Sequence, residues 1–135
     1  MIKVLIAICK RIFSREAYNI VVNDIIKILD AKVIIEGDLE AEVKTACGSD
    51  MMSDVLAFVK DQALLLTGLC NPQVIRTAEM MDMRCVVFVR GNEIDEAILD
   101  LARSRDIIVL KTDYRMFTAC GLLFAGGLRG ECEEK

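Results

Sequence analysis

Residues 63–91 read ALLLTGLCNPQVIRTAEMMDMRCVVFVRG, and this stretch decides the fold class. Ala63 to Leu66 is an unbroken apolar run, as expected of a strand covered on both faces. Thr67-Gly68 ends it. Asn71 before Pro72 supplies a helix N-cap with proline at the first helical position. Val74, Ile75, Ala78 and Met81 then share one side of a helix. Cys85 to Val89 is a second fully apolar strand, stopped by Arg90-Gly91-Asn92. Strand, helix and strand in this order make a βαβ unit, whose right-handed crossover leaves its two strands parallel.

The pattern repeats on either side. Downstream, Ile94, Ala97, Ile98, Leu101 and Ala102 recur at i, i+3, i+4, i+7 and i+8, the stripe of an amphipathic helix. Ile107 to Leu110 is a third buried strand, Thr112-Asp113 opens a last helix, and Gly126-Gly127 ends it. Upstream, Val22, Ile25, Ile26 and Leu29 form a helical stripe, and Lys32 to Ile35 reads as a strand closed by Gly37-Asp38. Val43 to Cys47 is a weaker strand, and Ser49 or Asp50 caps a helix that turns Met52, Val55, Leu56 and Val59 inward. The expected fold is α/β, a single domain with a mainly parallel sheet of about four to five strands and helices on both faces.

The 135 residues are 54% hydrophobic with one proline, and a domain near this size buries roughly 68% of its unfolded surface without staples. Seventeen basic and twenty-one acidic residues leave a net charge of −4. A nucleic-acid partner is not expected, since the basic stripe of an electrostatic binder is missing. The absence of histidine removes every histidine-dependent triad and imidazole zinc site. The six cysteines, at 9, 47, 70, 85, 120 and 132, form no C-x-x-C pair. In so aliphatic a chain they read as reduced thiols of a cytoplasmic protein. Val4 to Cys9 is too short for a signal-peptide core, and the uncharged run Met116 to Leu128 is too short to span a membrane.

Open parallel sheets bind ligands at the carboxyl ends of their strands, where helix N-termini point. The candidate ligand-binding residues there are Gly48, Ser49, Asp50, Thr67, Gly68, Asn71, Arg90, Gly91 and Thr112, with Asn92, Lys111 and Asp113 beside them. They suit a phosphate or carboxylate, although any α/β protein needs glycines and caps at such turns. Asp50 and Asp54 stand four apart on one expected helix face, with Ser49 and Ser53 repeating the spacing. Complementing the helix dipole explains them better than a cation site does. Cys47 and Cys70 fall near strand ends, but no histidine is present to lower a thiol pKa. No Walker loop or G-x-G-x-x-G fingerprint occurs. Methionines 51, 52, 80, 81 and 83 read as core filler, with a dimer face as the alternative. No catalytic residue, metal or cofactor is expected.

The blocks Ala46-Cys-Gly-Ser-Asp-Met-Met-Ser-Asp-Val-Leu-Ala and Leu64-Leu-Leu-Thr-Gly-Leu-Cys-Asn-Pro-Gln-Val-Ile-Arg-Thr-Ala resemble the stand-alone DRTGG domain of bacteria and archaea. Val86-Val-Phe-Val-Arg-Gly, Lys111-Thr-Asp, Met116-Phe-Thr-Ala-Cys-Gly and Gly127-Leu strengthen the likeness, which covers residues 22–128. Residues 1–21 fall outside it as an N-terminal extension, and residues 129–135 form an acidic C-terminal tail. The extension reads first as an extra strand or helix docking on the sheet. A start upstream of shorter relatives ranks second, and a basic membrane anchor using Lys3, Lys10, Arg11 and Arg15 ranks third.

The resemblance implies a regulatory or accessory module rather than an enzyme. Similar domains lie between the CBS domains of certain regulated pyrophosphatases and in the N-terminal part of some phosphotransacetylases. The fold is akin to the N-terminal domain of HPr kinase, which is not that enzyme's kinase domain. The family brings no established catalytic residues, and its members tend to pair as homodimers. The expectation is a non-catalytic module that dimerises and binds a small anionic metabolite, nucleotide or other phosphorylated compound. The alternative is a subunit that binds an unidentified protein partner and no small molecule.

Overall fold

Alternate residues of a strand face opposite sides of its sheet, so unbroken apolar runs need cover on both. The computed structural model describes residues 2–3, 19–58 and 63–130. In chain order these form β1 (Ile20–Val21), α1 (Val22–Leu29), β2 (Lys32–Ile35), β3 (Glu42–Val43), β4 (Thr45–Gly48), α2 (Met52–Phe58) and β5 (Ala63–Thr67). Then follow α3 (Pro72–Met80), β6 (Cys85–Phe88), α4 (Glu96–Ser104), β7 (Ile108–Lys111) and α5 (Met116–Ala125).

Among the described residues the main sheet has five strands in the order β2-β7-β6-β5-β4. From β4 to β7 the strands are parallel and step in one direction. Right-handed crossovers between strands that step one way place their helices on one face, and α2, α3 and α4 share a single core. Met52, Val55, Val74, Ile75, Ala78, Ile98, Leu99 and Ala102 meet Leu65, Val86, Phe88 and Val109 there. Residues one step along the same strands, Leu64, Leu66, Val87 and Leu110, face Val22, Ile25 and Leu29 of α1 and Ala119 and Leu123 of α5. The chain therefore changes faces after β7. β2 closes the other edge antiparallel to β7, with a register shift between Val33 and Ile35.

Several boundaries differ from the sequence reading for local reasons. The segment Val43 to Cys47 divides because β3 pairs antiparallel with β1, whereas β4 joins β5. Ile107 lies in the turn that closes α4, donating its N–H to the Ala102 carbonyl, so β7 starts one residue later. The stripe of α4 buries Ile98, Leu99 and Ala102 and leaves Ala97 exposed. Thr112-Asp113 does not open α5, which starts at Met116 with Arg115 as its N-cap. The Thr112 hydroxyl is drawn inward instead, donating to the Leu29 carbonyl at 2.8 Å and accepting from the Tyr114 N–H at 3.3 Å. Val59 lies outside the described residues, as do residues 4–18, on which the readings of the N-terminal extension rest. The last two residues before α1 form β1.

The methionines do not make one face. Met52 and Met83 are buried, whereas Met51 and Met80 are exposed. Met51 precedes α2 and Met80 ends α3, so they stand at opposite ends of the helical layer.

Thr112 ties the last strand to the first helix across 83 positions of sequence. Thr112→Val keeps the volume but strands the Leu29 carbonyl, and it should cost about 1–3 kcal/mol in urea unfolding. Thr112→Ser should recover most of that loss. Equal stability of the valine variant and the native protein would show that the tie contributes nothing.

Candidate functional site

The carboxyl ends of β4, β5, β6 and β7 form one rim. At its centre is the backbone of Gly68, held from two sides by opposite charges. Asp50 Oδ1 accepts from the Gly68 N–H at 2.7 Å and from the Thr67 hydroxyl at 3.1 Å. Arg90 donates from Nη2 to the Gly68 carbonyl at 2.8 Å. Hydrogen bonds to charged partners are about twice as strong as neutral ones. Thr67 Oγ1 also accepts from the Leu69 N–H at 3.1 Å, which sets the turn into α3. A Cβ at position 68 would collide with the Arg90 guanidinium, so the group lies close against this residue.

Asp50 is therefore not a cap of α2, and no Asp50–Asp54 pair forms on a helix face. α2 starts after Met51, whose N–H is bonded by Ser49 Oγ at 3.0 Å, and the Asp50 carboxylate turns across to β5. Arg90 follows β6 with φ 71°, a left-handed conformation that costs a side-chain-bearing residue about 1–2 kcal/mol. The strain is held by the chain after β7: the Arg90 N–H donates to the Tyr114 carbonyl and the Gly91 N–H to the Thr112 carbonyl. The Arg90 side chain is thereby aimed back over β5.

The remaining candidates have local duties. The Asn71 side chain accepts from the Gln73 N–H at 2.8 Å and caps α3 as expected. Gly91 has φ 65°, and a Cβ there would lie 2.7 Å from Asp113 Oδ1. Gly48 faces α5 rather than the rim, since its Cβ would meet Cys120 Sγ at 2.6 Å. Thr112 points into the core. Of the nine candidates, the structure gathers Asp50, Thr67, Gly68 and Arg90 into one cluster.

Cys70, Lys111 and Asp95 complete the surroundings. Burial pushes the Cys70 thiol up from its usual pKa; Arg90 and Lys111 pull it down, while Asp95 and Asp50 push it up. A reactive thiol needs a shift the other way. Two cations and two carboxylates thus act on the same thiol, and of these Asp50 and Arg90 are bonded to Gly68. Asp95 escaped the sequence reading. It ends the loop after β6, three residues beyond the expected turn, and only its place before α4 hinted at the rim. The four described cysteines, Cys47, Cys70, Cys85 and Cys120, are free thiols. Among the described residues no group of three or more acidic or cysteine side chains is placed to hold a metal ion.

The Arg90 guanidinium is a donor suited to an anion, and the Asp50 carboxylate is an acceptor for hydroxyl or amino groups. The DRTGG domain model matches residues 24–125, most of the chain. The chain belongs to the DRTGG domain family.

This DRTGG domain also resembles a solved structure, the CBS and DRTGG domains of the regulatory region of Clostridium perfringens pyrophosphatase, complexed with its activator diadenosine tetraphosphate. The TM-score is 0.66 at 15% identity, over 88% of this chain and 55% of that one. The likeness establishes the fold, and the present chain spans about 55% of the length of that neighbour. No curated protein matches the chain. Among the described residues no helix is long and apolar enough to cross a membrane.

Proposed function

We propose that this DRTGG domain is a non-catalytic regulatory module that pairs with a second copy and binds a small anionic metabolite or nucleotide at the carboxyl rim. The observation that carries this reading is Arg90. Its backbone is held in a costly conformation, its guanidinium is placed on the Gly68 carbonyl, and the residue is exposed to solvent. Strained side-chain-bearing residues concentrate where function demands them. The activator bound by the pyrophosphatase regulatory region is a polyphosphate dinucleotide, which supports a phosphorylated ligand here.

A thermal-shift panel tests the proposal, with diadenosine tetraphosphate, adenine and uridine nucleotides, acyl-coenzyme A and phosphorylated metabolites as probes. A ligand at about 100 times its Kd stabilises by roughly 2.7 kcal/mol, which raises Tm by several degrees. The expected result is a selective rise that Arg90→Ala abolishes while the variant remains folded. A flat panel on folded protein would overturn ligand binding and leave the second reading, an interaction subunit without a small-molecule ligand. That reading draws support from Phe117 and Phe124, which are exposed on α5.

A further inference from the structure

At the opposite end of the sheet from the rim, the amino ends of β5 and β6 border a cavity of about 160 Å³. Ala63 and Cys85 open those strands. Ala63 stands four positions before Thr67 of the rim, roughly 13 Å along the strand. Val22 and Val43 complete the apolar floor, and all four side chains are buried. The Val22 and Asn23 N–H groups donate to the Ala41 and Leu39 carbonyls at 3.1 and 2.8 Å. These bonds strap the loop before β3 to the start of α1 and keep it off the strand ends. The lining residues Ala41, Ala63 and Cys85 are too small to fill the gap.

The mouth of this cavity carries charge of both signs. Asp38, Glu42 and Arg84 line it and are exposed. Among the described residues none of the three makes an ion pair. The pairs that do form join Arg103 to Glu96 and Asp100, and Arg105 to Glu79. Each of the three backbones is fixed separately. Glu42 lies opposite Val21 in the pairing of β3 with β1. The Arg84 carbonyl accepts from the Ile108 N–H at 2.8 Å, and Asp38 Oδ1 accepts from the Glu40 N–H at 3.0 Å. A guanidinium and two carboxylates thus face one gap without meeting across it.

The geometry points to a binding site here for a free aliphatic α-amino acid. The ligand carboxylate takes the forked donors of the Arg84 guanidinium. Its ammonium group lies between the Asp38 and Glu42 carboxylates. Its side chain covers the floor of Val22, Val43, Ala63 and Cys85. A cavity of about 150 Å³ admits benzene, so the isobutyl group of leucine enters this one with its charged end at the mouth. A simple anion meets two carboxylates against one cation, and a simple amine leaves the guanidinium without a partner. A zwitterion satisfies both signs at once. This site is separate from the rim, and it stands or falls without Arg90.

A thermal-shift panel of free amino acids at millimolar concentration tests the assignment on the full chain. Valine, leucine or isoleucine should raise Tm by several degrees near saturation, and aspartate and lysine should not. Isovalerate and isobutylamine, which each lack one of the two charges, should give no rise. Arg84→Gln and Glu42→Gln should each weaken the binding roughly tenfold or more. Both positions are exposed, so without amino acid the variants should melt with the native protein. A flat panel on folded protein would overturn the site. So would a rise that either single-charge compound reproduces, or one that survives both substitutions. A response kept in Arg84→Gln but lost in Arg90→Ala would also overturn it, and would place the amino acid at the rim.

Discussion

Phe88→Ala is expected to cost about 3–5 kcal/mol, the largest loss from any single side chain among the described residues. Phe88 ends β6, the middle strand of the sheet, and is fully buried. Its ring packs into the core shared with α2, α3 and α4. Removing it takes away buried apolar surface and leaves a cavity that neighbours on a central strand fill poorly. Domains of this size are stable by only about 5–15 kcal/mol, so the variant should sit near its unfolding midpoint in modest urea. Phe88→Leu should lose much less. The effect also bears on the rim, because Phe88 lies two residues before Arg90 and its carbonyl accepts from the Thr112 N–H. A loss below about 1 kcal/mol for the alanine variant would contradict this packing.

Arg90→Gly and Gly68→Ala should both weaken the proposed anion binding without destroying the fold. At φ 71° glycine relieves the strain that arginine bears, so Arg90→Gly should be neutral or stabilising despite the lost bond to Gly68. In Gly68→Ala the new Cβ collides with the guanidinium. That group is the mobile end of a long side chain, so it moves aside at little cost to stability. The binding cost in either variant is that of charge-assisted hydrogen bonds to the ligand, about 1.5–3 kcal/mol or roughly 10–150-fold in Kd. Titration of the best ligand from the panel, beside a melting curve, separates the two quantities. Loss of Tm with binding intact would make Arg90 a structural strut.

These outcomes bear on how far a chain without a catalytic signature can be read. The cluster at Gly68 joins residues from three loops, and no two of its charged members are close in sequence. Asp50 is 18 positions from the N–H it accepts, and Arg90 is 22 from the carbonyl it holds. Spacing along the chain could bring them to the same rim, through the rule that parallel strands end together. It could not say that Asp50 would leave its helix or that Arg90 would turn back over β5.

Periodicity and turn chemistry are local, and what depends on them was legible in the residues. The apolar runs at 63–66 and 85–88 required cover on both faces. Asn71-Pro72 marked the start of α3, and the stripe from Val22 to Leu29 marked α1. The α/β class followed from their alternation. Thr112 was misplaced because an inward hydroxyl and a helix cap look alike in sequence, and its partner carbonyl at Leu29 is met only through the pairing of β2 with β7. The antiparallel edge strand, the change of face after β7 and the open side of α5 likewise follow from which surfaces pack together. Burial against a distant element is a property of the assembled core, and the order of residues along the chain does not encode it separately.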